Sequence, residues 1–230
     1  MDFIRNEKYF RSTNTHFYIG LIMLCIGGTL AVLQRVFWFY YYLFLIGIAL
    51  AVAGAITAFV PQWKKSSDKD IDDQISKEKD GYLKSKIDEL GLAGALSPNA
   101  DSILISEYEY DDSLIKRGLD GKIRASSYCI TAVIVTKTGV VTAKKSFSLI
   151  NESRSEEIKE LLFSEADRAE TIMRSVPFRE DKDDTEIKTM DFVIYRGGAA
   201  AFRAPAAMNA IVENLASNIN ALIKRAKAEE

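Results

Sequence analysis

The sequence predicts an α+β domain mounted behind an N-terminal hairpin of two transmembrane helices. Three observations lead there. Residues 17–34 and 36–60 contain no charged side chain. Later runs rich in β-branched and aromatic residues are separated by Gly, Pro, Asn and Asp. Two further stretches repeat apolar residues every three or four positions. The soluble part reads β-β-β-α-β-β-α. That order implies an antiparallel sheet with helices on one face, or a small barrel with a C-terminal helix. The expected organisation is a cytoplasmic N-terminal segment (1–15), a transmembrane hairpin (16–62, with spans 16–34 and 36–60), a charged helical linker (63–98) and a cytoplasmic α+β domain (99–230).

The first span is near the lower length limit for crossing a hydrocarbon core of about 30 Å. The second is longer. Only Gln34 and Arg35 separate them, so a tight turn and an antiparallel pair are expected. Arg5, Lys8 and Arg11 precede the first span, and Lys64, Lys65 and Lys69 follow the second, whereas the turn carries only Arg35. Basic residues stay on the cytoplasmic side, so both termini are expected there, in a bacterial inner membrane. Trp38 with Tyr40, Tyr41 and Tyr42 suits one interface; Trp63, Tyr9, Phe10 and Tyr18 suit the other. Gly27 and Ala31, and Gly47, Ala51 and Ala55, are spaced four apart, the pattern that lets helix backbones approach in lipid. Those five residues are the expected helix-packing contacts, within the hairpin or between copies.

Pro61 is expected to end the second span. Residues 64–90 then mix both charge signs around a thin apolar stripe, Ile71, Ile75, Tyr82, Leu83, Ile87 and Leu90, which reads as a solvated helical stalk. Ser67 or Asp68 is the candidate cap, and Gly81 weakens the middle. In the soluble domain, residues 102–110, 123–136 and 140–150 read as strands, the last two forming a hairpin about Lys137, Thr138 and Gly139. Ile158, Leu161, Leu162, Ala166, Ala169, Ile172 and Met173 predict a helix over 156–173. Residues 177–188, charged and containing Pro177, read as a loop. Residues 190–195 and 199–204 read as a hairpin turning on Gly197-Gly198. Pro205 is expected to open a final helix with Met208, Ile211, Val212, Leu215, Ile219, Leu222 and Ile223 on its apolar face.

Charge and composition exclude some functions. Four of the 30 basic residues and two of the 32 acidic ones precede residue 61, leaving 26 and 30 in the remainder, a net of −4. That balance does not suit a nucleic-acid binder. The two cysteines, Cys25 in an apolar run and Cys129 in a strand, are poor disulfide partners. One His and two Cys do not make a structural zinc site. His16 sits beside the first span, and the pairs Asp72-Asp73, Asp111-Asp112 and Asp183-Asp184 lie in charged linker or loops. No catalytic, cofactor or metal residue is assigned, and no enzyme activity is expected. Lys122, Arg124, Lys137, Lys144 and Lys145 lie on or beside the first long hairpin and are candidate contacts to anionic lipid headgroups. The function expected is a membrane-anchored, non-enzymatic interaction or sensing module that self-associates and recruits a protein partner. The rivals are an oligomeric channel or membrane-disrupting effector, and an enzyme with a carboxylate or Tyr base.

Overall fold

The computed structural model describes residues 1–12, 15–33, 41–63, 65–180 and 183–229. The Gln34–Arg35 turn, Val36 to Tyr40 of the second span, and Lys64 lie outside the described residues. The chain divides into two compact units, Met1–Asp72 with Arg117–Lys122, and Asp73–Lys116 with Ile123–Glu230.

The first unit holds helices α1 (Phe3–Arg11), α2 (Thr15–Leu33) and α3 (Tyr41–Trp63), with the start of α4 (Asp68–Lys79). Over His16–Leu33, α2 is long and apolar enough to cross a membrane; the apolar run of α3, Phe44–Val60, is shorter. Pro61 lies within α3 and does not end it. Helices α2 and α3 pack antiparallel along a seam of small residues. A Cβ at Gly20 would come within 2.5 Å of Ala58 N, and one at Gly47 within 2.7 Å of Ala31 N. A Cβ at Gly27 would collide with the Ala51 backbone. Only glycine permits that approach. Away from the seam the helices present Ile22, Ile26, Val32, Ile46, Val52 and Ile56 as exposed side chains.

Helix α1 is capped by Asp2, whose Oδ1 accepts from Arg5 N at 3.2 Å. It docks on the segment after α3. Ser66 Oγ donates to Asn6 Oδ1 at 2.6 Å, and Tyr9 OH donates to Asp68 Oδ1 at 2.6 Å. Ser67 caps α4: its hydroxyl accepts from Asp70 N, and Asp70 Oδ2 accepts from Ser67 N, a reciprocal capping box. The predicted stalk is two helices, because Gly81 adopts φ +73° and separates α4 from α5 (Tyr82–Glu89).

In the second unit, strands β1 (Ile103–Glu109), β4 (Ser127–Val135), β5 (Gly139–Ser148) and β6 (Arg154–Leu162) form an antiparallel sheet in the order β1-β4-β5-β6. A short pair, β2 (Ile115–Arg117) and β3 (Ile123–Ala125), lies between β1 and β4 in sequence. The run predicted as one strand over 123–136 is β3 and β4, broken at Ser126. Strands β7 (Arg168–Glu180), β8 (Asp183–Arg196) and β9 (Ala199–Ala206) form a second antiparallel sheet in that order. Helix α6 (Ala210–Ala228) follows.

The helix expected over 156–173 is not formed. Residues 156–162 belong to β6 and 168–173 to β7, with a turn between them, so among the described residues the order β-β-β-α-β-β-α is corrected to nine strands and a C-terminal helix. The free edge of β5 supplies the reason. Pairing from Phe147↔Arg154 to Gly139↔Leu162 satisfies a whole row of backbone groups that a helix at 156–173 would leave open. Gly139 admits the close approach of the Leu161 backbone. Burial confirms the change of period, since Leu161, Phe163, Ala166 and Ala169 are buried while Ile158 and Met173 are about half exposed. The expected loop over 177–188 is likewise strand: β7 and β8 pair through Glu180↔Asp183; residues 181 and 182 lie outside the described residues. Pro205 lies within β9 opposite Asp191 and does not open the helix, which Asn209 caps by accepting from Val212 N at 3.1 Å. The turn at Gly197-Gly198 is as expected, with φ +61° and +77°.

The core joins both sheets to α6. Ile105, Val133, Val135 and Val140 from the first sheet meet Met190, Phe192, Ile194, Phe202 and Ala204 from the second, with Val212, Leu215, Ile219 and Ile223 of α6. Asn220 on α6 accepts from Ala169 N at 2.8 Å and donates to Ala169 O at 2.7 Å, standing in for a strand at the edge of β7. A smaller cluster, Tyr110, Ala125, Val176, Phe178 and Ile187, packs the far end of the β7–β8 hairpin against β2 and β3.

Candidate functional site

The face of the first sheet that carries Ile105, Val133 and Val140 changes character along its length. In pairing register, Val133 is followed on the same face by Thr131 and Cys129, Val140 by Thr142, Lys144 and Ser146, and Ile105 by Glu107 and Glu109. The apolar core therefore gives way to polar side chains. There the second sheet contributes Arg174 from β7, Asp191 from β8 and Arg203 from β9, which share a face because Asp191 is paired with Ile172 and Pro205 and lies diagonal to both arginines. Together with Asp111 and Pro205 these residues line a cleft of about 440 Å³.

Asp191 organises the cleft. Its side chain is 2% exposed and holds two guanidinium groups on one oxygen, Oδ2. Arg203 donates through Nε at 2.7 Å and lies with Nη2 at 2.5 Å. Arg174 Nε lies 3.0 Å away, but off the line of a hydrogen bond, so that buried nitrogen is left without one. Arg174 Nη1 donates to Asp111 Oδ2 at 2.6 Å, and the Asp111 side chain is 61% exposed. On the opposite wall Lys144 Nζ lies 3.4 Å from Glu109 Oε1, which also accepts from Ser146 Oγ at 3.0 Å. Burial opposes the charge on Arg174; the Asp111 hydrogen bond and the field of Asp191 outweigh it and raise its pKa. Behind this wall, burial pushes the Cys129 thiol up to about 11, so it stays protonated near neutrality. Burial also raises the Glu107 carboxyl.

A second charged group lies on the other face of the first sheet. Tyr82 OH donates to Glu156 Oε1 at 2.6 Å, and Lys86 Nζ lies 2.8 Å from the same oxygen and 2.7 Å from Glu89. Lys145 Nζ, 2.6 Å from Glu78, sits over the rings of Tyr82 and Phe147. These contacts fasten α4 and α5 to β5 and β6. They hold a helix to a sheet.

The five basic residues proposed for lipid contact are dispersed. Arg124 on β3 is buried. Lys144 and Lys145 are adjacent on β5 and therefore project to opposite faces, one into the cleft and one towards Tyr82. Lys137 is exposed and donates to Gly94 O at 3.1 Å. Lys122 belongs to the exposed turn between β2 and β3. Of the small residues in the apolar helices, Gly27, Ala31, Gly47 and Ala51 meet across the α2–α3 seam, and Ala55 lies on α3 half-buried. His16 is exposed at the start of α2. Among the described residues no three His, Cys, Asp or Glu side chains are grouped to hold a metal ion.

Sequence reasoning placed Lys144 on its strand but missed Asp191, Arg174 and Arg203. A usable signal was present for two of them: Asp191 interrupts MDFVIY and Arg203 interrupts AAFRA. A single charge inside an apolar strand needs a partner. Arg174 carried no such signal: it lies just past the segment read as helix, 156–173, in a stretch given no strand. No family model, no curated protein and no solved structure matches this chain.

Proposed function

We propose that this chain is a membrane-anchored, non-enzymatic recognition module: α2 and α3 hold it in a lipid bilayer, and the α+β domain meets a partner through the cleft lined by Arg174, Asp191 and Arg203. The observation that carries the reading is the contrast between the two ends of the chain. The α2–α3 pair closes through glycine and alanine and turns Ile22, Ile26, Ile46, Val52 and Ile56 outward. A contiguous apolar exterior of that kind is costly in water and suited to lipid. The α+β domain, in contrast, presents a polar cleft whose guanidinium groups are oriented by a buried carboxylate, the arrangement used for recognition of charged groups.

In this reading α2 and α3 both span, and the basic residues at 5, 8, 11, 65 and 69 keep both termini in the cytoplasm. Expression with a C-terminal reporter, followed by carbonate extraction of the membrane fraction, tests the anchor. The protein is expected to stay in the pellet, with the reporter accessible only from the cytoplasmic side. Release into the supernatant would end the anchor reading. Light scattering of the detergent-solubilised chain, with the detergent contribution subtracted, tests self-association. A closed assembly of four or more copies would favour the channel instead.

A further inference from the structure

The donors of the cleft are unequally committed, and that inequality identifies a ligand. Arg203 spends Nε and Nη2 on Asp191. Arg174 is turned by Asp191 on its Nε side, and its Nη1 edge faces the cleft, where it meets Asp111. Asp111 is 61% exposed on the loop after β1 and Arg174 is 29% exposed, so solvent screening on the Asp111 side weakens their ion pair. Lys144 sits across the cleft in a long contact with Glu109, at 3.4 Å. Removing Asp111 from the count leaves three cations, Lys144, Arg174 and Arg203, against two carboxylates, Asp191 and Glu109. The remaining cleft carries one positive charge, and its exposed guanidinium edge already holds a carboxylate.

We propose that the cleft is a carboxylate-binding site: a ligand carboxylate takes the place of Asp111 on Arg174 Nη1 and is flanked by Lys144, while Asp111 is the internal group it displaces. The inference rests on the recognition role proposed above and names its ligand chemistry. A single carboxylate restores neutrality in the cleft. A phosphate dianion would leave an excess negative charge beside the buried Asp191.

The test is a titration of the full-length chain in detergent, following thermal unfolding as sodium acetate replaces sodium chloride at constant ionic strength. A second series uses inorganic phosphate, with all series run at about pH 8, where phosphate is mainly the dianion. A third uses N-acetyl-trialanine with a free C-terminus and the same peptide as its C-terminal amide. The expected result is a saturable rise in Tm with acetate, as binding to the folded state alone requires, and a smaller response to phosphate. Binding of the peptide acid more tightly than acetate, with the amide silent, would identify a protein terminus as the source of the carboxylate; equal binding would identify a free acid. Asp111→Asn removes the internal competitor and is expected to tighten acetate about two- to five-fold, the range a solvent-screened ion pair commands. A gain in affinity does not arise from misfolding. Arg174→Gln is expected to abolish the response, whereas Arg168→Gln, on the same sheet but outside the cleft, leaves it intact. The proposal is overturned if Asp111→Asn fails to tighten acetate, if phosphate binds as well as acetate, or if the response survives Arg174→Gln. None of these readings depends on the lipid anchor, so failure here and failure of carbonate extraction are separate results.

Discussion

Asp191 shows how one side chain can be both a cost and an organiser. A carboxylate that is 2% exposed is tolerated because two guanidinium groups reach its Oδ2. Asp191→Asn keeps the volume but removes the charge both arginines converge on. We expect a loss of about 1–3 kcal/mol of stability, the usual cost of leaving a buried polar group unpaired, measured by denaturant unfolding in detergent. A variant as stable as the parent would show that the arginines are held by packing alone. The apolar strand around Asp191 was legible, but the partners of Asp191 were not: Arg174 and Arg203 are 17 and 12 positions away and meet it only through the register of β7, β8 and β9. Local periodicity carries no record of that register.

At the scale of elements, the sequence is a good guide where local preference and tertiary demand agree. The glycines of the Gly197-Gly198 turn and the apolar runs of α2 and α3 are such cases. It misleads over 156–173, where Glu, Lys and Leu favour a helix at short range and the edge of β5 imposes a strand. A synthetic peptide covering residues 154–174 should therefore be helical by circular dichroism in a helix-promoting alcohol, although the same residues are strand in the chain. A peptide that stays without helix would move the explanation from tertiary override to weak local preference. The α2–α3 seam gives a second test. Gly27→Leu forces a side chain into the Ala51 backbone, whereas a Cβ at Gly28, one residue on, would meet nothing within 4 Å. Gly27→Leu should lower Tm in detergent, at a cost on the order of 1–3 kcal/mol for an overpacked contact, and Gly28→Leu should be nearly neutral. Equal effects would mean the seam does not hold the pair.

At the scale of the whole molecule, acid should loosen the α+β domain through Glu78 and Glu156. Burial pushes the Glu78 carboxyl up, but Lys145 and Arg154 outweigh it and hold its pKa below the ordinary 4.5. Burial likewise opposes the charge on Glu156, and Lys86 with Tyr82 brings it below 4.5. A carboxylate whose folded pKa is depressed adds stability that is present above its unfolded value. That stability is lost as pH falls from about 4.5 through the lower folded values. Both residues tie α4 and α5 to β5 and β6, so the same protonations weaken one attachment. Thermal unfolding in detergent should show Tm falling as pH drops below about 4.5. Glu156→Gln should be less stable than the parent at pH 7, since its amide cannot match a charge-assisted bond to Lys86. The difference should narrow as pH falls, because the parent loses its Glu156 charge while the glutamine has none to lose. A gap that stays constant with pH would remove Glu156 from the account and leave the acid response to other carboxylates.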